Sequence, residues 1–115
     1  MILHALGMML VQSATATITE SVQPPLPQAV EAAASAYEMC LMDAIDEEYR
    51  TAAYSERRVL SACAGVRRAR YADAMAGASG AGQPSIRGRV RQRFAELDEQ
   101  VWTIVGHIRA RHEGR

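Results

Sequence analysis

The chain has 115 residues, with 13 basic side chains balanced by 13 acidic ones and a formal net charge of zero, so no overall charge draws it to nucleic acid or to a membrane surface. Hydrophobic residues make up 49% but aromatics only 5%, alanine is abundant, and β-branched residues never alternate, which excludes a sheet protein and points to an all-α chain. All thirteen basic residues are arginine, a compositional mark of a GC-rich bacterial genome.

Residues 1–16, MILHALGMMLVQSATA, carry a mostly apolar run from Ile2 to Val11 followed by a small-x-small site at Ala14-Thr15-Ala16. This pattern reads as a signal peptide, although its n-region holds only His4 and the terminal amine where Lys or Arg is usual. The run is well short of the roughly 20 apolar residues that span a bilayer, so no membrane span is expected once the signal is removed. No cysteine follows it at a lipoprotein position. The expected mature chain starts at Thr17, and the remaining 17–115 is one domain near the size where a core begins to suffice without staples.

Residues 17–27, TITESVQPPLP, hold Pro24, Pro25 and Pro27 and no helical period, which makes an extended lead-in. A single helical domain is expected over 28–115. From Gln28 apolar residues recur in steps of three and four at Val30, Ala33 or Ala34, Tyr37, Cys40 or Leu41, and Ala44 or Ile45. A second stripe runs through Val59 or Leu60, Cys63, Val66 and Arg70 or Tyr71 to about Met75.

Both cysteines therefore fall on buried stripes, and in an exported protein Cys40 and Cys63 are expected to form a disulfide. One straight helix over 28–75 would hold them about 35 Å apart, whereas a disulfide spans Cα atoms roughly 4.4–6.8 Å apart. The pair therefore demands a hairpin of helices 28–50 and 56–76, turning near 51–55, with Ser55 as the N-cap of the second arm. The turn contains no glycine or proline. The alternative is one long helix with two reduced, buried cysteines.

Residues 77–85, GASGAGQPS, combine three glycines with a proline and small polar residues, the composition of a flexible linker. Ser85 is the expected N-cap of a third amphipathic helix over 86–111, completing a small three-helix bundle. Val90, Phe94, Leu97, Val101, Ile104 and Ile108 form a heptad seam there, able to pack within the bundle or as a coiled coil against a second copy. Gly88 and Gly106 each cost that helix about 1 kcal/mol relative to alanine, and Gly106, one turn past Trp102, is expected to make room for the indole or a neighbouring helix.

Charge divides along the chain. Through Arg50 there are seven acids and one base, and from Thr51 onward twelve arginines and six acids. Acidic and basic helices packed side by side are the expected consequence.

No C-x-x-C, H-E-x-x-H, G-x-S-x-G or phosphate-loop lysine is present, so the spacings that carry a known chemistry are missing and the chain reads as non-enzymatic, without cofactor or metal. Asp43, Asp46 and Glu47 share a helical face with Arg50, and a solvated, salt-bridged surface is expected of them ahead of a cation site. His107 and His112 point different ways and are expected to be exposed and without a role. The candidate partner-binding residues are Trp102, because tryptophan is enriched at binding hot spots, and the arginines Arg87, Arg89, Arg91 and Arg93. Arg67, Arg68 and Arg70 could join those arginines in an anion patch, but helical spacing spreads them around more than one face.

These features predict a small exported helical protein acting in the periplasm or outside the cell through protein–protein interaction, as an inhibitor, adaptor or subunit of an envelope assembly. Its layout is similar to that of small two-cysteine helical proteins of bacterial envelopes. The expected partner is another protein or a second copy of the chain. The competing reading is a cytoplasmic coiled-coil or nucleic-acid-associated protein built on one long helix.

Overall fold

The computed structural model describes residues 24–80 and 84–113. The expected signal peptide, residues 17–23 of the lead-in and residues 81–83 lie outside them. Four helices make up the described chain, α1 (Gln28–Thr51), α2 (Glu56–Ala62), α3 (Ala64–Gly80) and α4 (Pro84–Glu113), with no strand among the described residues.

Helix α1 starts where the prolines stop. Pro27 is extended at φ −53° and ψ 148°, and its carbonyl accepts from the amides of Val30 and Glu31, so the chain enters the helix without a side-chain cap. Leu26, just before it, packs partly against the core. The inward face of α1 is the expected stripe, Val30, Ala33, Ala34, Tyr37, Leu41 and Ile45, all buried.

The chain reverses at 52–55, where the cysteine pair requires it. Two non-glycine residues take positive φ there, Ala52 at 58° and Tyr54 at 48°, a left-handed conformation that costs L-residues about 1–2 kcal/mol each. Side chains supply what glycine would otherwise provide. The buried carboxylate of Glu48 accepts from the Ser55 amide at 3.0 Å and faces Arg58 Nε at 3.3 Å. Arg109 of α4 donates to the Tyr54 carbonyl at 3.1 Å and pairs with the buried Glu56. Ser55 caps α2 as expected, its hydroxyl accepting from the Arg58 amide at 3.3 Å.

Cys40 and Cys63 form the disulfide, with Cα atoms 6.0 Å apart, and the long single helix is not adopted. The second arm differs from the expected unbroken helix. It divides at Cys63, whose φ of −104° and ψ of 8° lie outside the helical region, although its carbonyl still accepts from the Arg67 amide at 2.8 Å. Beyond this break the inward stripe steps to Arg67, Tyr71, Ala74 and Ala78, while Val66, expected inside, is exposed.

The segment read as a flexible linker, 77–85, is helical over 77–80 and again from Pro84. Gly77 serves packing: a Cβ there would lie 3.1 Å from the Ala29 Cβ and 3.7 Å from Val30 Cγ2, so α1 and α3 approach closely at that level. Pro84 opens α4, where its missing N–H costs nothing, and Ser85 lies inside the first turn instead of capping it.

Helix α4 lays Ile86, Val90, Phe94, Leu97, Val101 and Val105 into the core. Each fully buried valine, leucine or phenylalanine contributes about 1.5–3 kcal/mol relative to exposure. The seam follows the heptad as far as Val101 and then moves to Val105, leaving Ile104 and Ile108 half-buried. A straight helix drifts about 20° per heptad from a strict seven-residue repeat, and here the drift is not removed by supercoiling. Gly106 makes room for nothing, since a Cβ there would meet no atom within 4 Å.

Candidate functional site

The arginines nominated from sequence do not form one surface. Arg87 donates to Ser79 Oγ at 2.7 Å and Arg89 to the Pro24 carbonyl at 2.6 Å, so these two tie α4 to the end of α3 and to the lead-in. Arg93 is half-buried beside Leu26 and Arg89, and Arg91 is exposed. Asp43 and Asp46 are exposed, and Glu47 pairs with Arg50 one turn away. No group of three or more His, Cys, Asp or Glu side chains among the described residues could hold a metal. His107 is exposed. His112, expected to have no role, stacks on Tyr54 at a centroid distance of 4.8 Å and meets Tyr49 edge-on at 6.4 Å, closing an aromatic cap over the turn.

Trp102 is 47% exposed and stands at the rim of an open cleft of about 560 Å³ between the α2–α3 arm and α4. Leu60, Ala64, Arg68 and Tyr71 form one wall and Trp102 the other, with Tyr37, Arg67 and Asp98 at the floor. The floor is a polar network that joins three helices, and sequence reasoning did not identify it. Arg67 donates from Nε to Asp98 Oδ1 and Oδ2, both at 3.1 Å, and from Nη2 to Oδ2 at 2.8 Å. The Tyr37 hydroxyl donates to Asp98 Oδ1 at 2.5 Å.

Aromatic rings frame this network. Tyr37 stacks on Phe94 with centroids 5.6 Å apart and planes 8° apart, and Tyr71 meets Phe94 edge-on at 5.3 Å. The Arg67 guanidinium carbon lies 5.7 Å from the centroids of Tyr37, Tyr71 and Phe94, within cation–π range of all three. Burial, and then the hydrogen bond and negative charge of Asp98, push the Tyr37 phenol far above its ordinary value of 10.0. The hydrogen bonds it donates to Asp98 raise Arg67 further, against the opposing effect of its burial.

Such a floor is braced, not reactive. Tyr37 keeps its proton, Asp98 is engaged by two donors, and Arg67 has its Nε and one Nη on a carboxylate. Arg68 is exposed at the rim and has no carboxylate partner among the described residues. The cleft thus offers an indole, a tyrosine ring, leucine and alanine walls and the exposed Arg68 cation, which suits recognition of an apolar group beside a negative charge.

No helix of the described residues is long and apolar enough to cross a membrane. No protein-family model matches the chain, and neither curated proteins nor solved structures yield a significant similarity to it.

Proposed function

We propose that the chain is a small exported, non-enzymatic interaction protein that works in the periplasm or outside the cell. The Cys40–Cys63 disulfide carries this reading. A disulfide joining α1 to the α2–α3 arm across a 23-residue separation, with Cys63 buried and Cys40 partly so, persists where thiols are oxidised, and reducing cytosol does not favour it. The apolar run Ile2–Val11 with Ala14-Thr15-Ala16 supports export independently of the disulfide. The interaction role is supported by Trp102 and Arg68, which stand exposed over a braced floor whose own charged groups are already paired. An inhibitor, an adaptor or an envelope-assembly subunit would each use such a surface.

Cell fractionation combined with thiol alkylation tests the reading. The protein is expected in the periplasmic or culture fraction, unreactive to a mass-shifting maleimide until reduced. A cytoplasmic chain carrying two alkylated thiols would overturn it. The anion-binding reading has less support, because Arg87 and Arg89 are spent on contacts within the chain.

A further inference from the structure

We infer that the cleft beside Trp102 receives the outer face of α1 from a second copy of the chain, so that the protein associates head to tail. This deepens the reading of the chain as an interaction protein, on which it rests, by naming the partner.

The outer face of α1 has the chemistry the cleft asks for. Met39 is 68% exposed and Met42 46%, while a soluble helix normally turns such side chains inward. Asp43 and Asp46 are exposed beside them. At 100° per residue these four positions fall within an arc of about 100°, one continuous strip of the helix. Neither aspartate pairs with a cation among the described residues. With Tyr49 and Arg50 they border a shallow hollow of about 510 Å³. The strip therefore presents thioethers and carboxylates to solvent, and the cleft presents an indole, a tyrosine and Arg68, which has no carboxylate partner among the described residues. Methionine sulfur against an aromatic ring is a favourable contact, and Arg68 complements Asp43 and Asp46 in charge.

The charge division along the chain agrees with this pairing. Packing within the chain consumes little of it, since Glu48 with Arg58 is the one ion pair between an α1 acid and the arginine-rich half among the described residues. Buried Tyr37 of α1 floors the cleft and α3 and α4 wall it, so the cleft opens away from the outer face of α1. Two different surfaces on opposite sides make a heterologous contact, which continues beyond a dimer unless it closes into a ring.

Sedimentation equilibrium on the disulfide-intact protein purified from its host tests the inference. The weight-average mass should rise with concentration past that of a dimer, and the rise should shrink with added salt. Trp102→Ala, Arg68→Glu and Met39→Glu should each weaken association about tenfold or more, with circular dichroism unchanged because all three side chains are exposed. Combining Arg68→Glu with Asp43→Arg and Asp46→Arg should restore it. A single-chain mass up to about 1 mM, the weak end of specific association, would overturn the inference, as would association indifferent to Arg68→Glu and Trp102→Ala. Either result leaves the export reading standing, and a cytoplasmic location would leave the mass measurement standing.

Discussion

Arg67 on α3 holds Asp98 on α4 through hydrogen bonds from Nε to both carboxylate oxygens and from Nη2 to Oδ2, and Tyr37 on α1 donates to the same carboxylate. One acid thus ties the three long helices at mid-bundle. Arg67 and Asp98 are 34% and 29% exposed, enough to soften the penalty of burying charge but not to leave the pair to bulk solvent.

Breaking that knot tests how much of the stability passes through it. Arg67→Ala or Asp98→Ala should each cost about 2 kcal/mol, since each strips charge-assisted hydrogen bonds and strands a partner. The double variant should cost little more than either single one, giving a coupling of about 1–2 kcal/mol in a double-mutant cycle followed by urea denaturation. Strictly additive losses would show that the two residues act separately.

Tyr37 makes the same network sensitive to alkali. Its folded-state value lies above the 10.0 of a free phenol, first because it is buried and then because Asp98 accepts a hydrogen bond from the protonated hydroxyl and repels the phenolate. The folded chain therefore holds that proton more tightly than the unfolded one. The stability this contributes is complete below pH 10.0 and falls away as the pH climbs above it towards the folded value. Tyr37→Phe should flatten the alkaline decline in stability, at a cost of about 1 kcal/mol at neutral pH for the lost hydrogen bond. In an ultraviolet phenolate titration of the folded protein, Tyr37 should ionise well above the pH at which a free phenol does.

Ala52 and Tyr54 explain why the turn is so weakly written in the sequence. Ala52 caps α1 in a left-handed conformation at φ 58°, where glycine is usual. Ala52→Gly should raise stability by a few tenths of a kcal/mol up to about 1 kcal/mol, the relief of strain exceeding the added freedom of the unfolded chain. Thermal unfolding would register it as a higher midpoint.

Two helical glycines should respond in opposite ways. Gly106→Ala places a methyl in open space and should stabilise α4 by up to about 1 kcal/mol through helix propensity. Gly77→Ala should gain nothing or lose stability, because its methyl would press on Ala29 at 3.1 Å. Denaturant midpoints of the two variants would separate these outcomes.

The parts of the fold that were legible depended on apolar spacing and on the cysteine pair. Cys40 and Cys63 on two stripes demanded a reversal near 51–55, and the chain reverses there. The inward face of α1 and the seam from Val90 to Val101 follow their periods. The floor of the cleft is hard to read because charge marks both residues as surface: Arg67 reads as one of the arginines of an anion patch, and no motif singles out Asp98. A signal existed: Arg67 lies one turn after Cys63 on the same stripe, and Asp98 directly follows the seam residue Leu97. Gly77 was hidden for a different reason. Glycine-rich composition describes a linker and a close helix crossing equally well, and only the neighbouring helix distinguishes them.

The central claim, an exported domain stapled at Cys40–Cys63, is tested most directly by the intact mass of the protein from its native host, measured before and after reduction and alkylation. The account predicts a chain beginning at Thr17 that takes up no alkylating reagent until reduced and two equivalents afterwards. A chain that retains residues 1–16 and alkylates at both cysteines without reduction would contradict it.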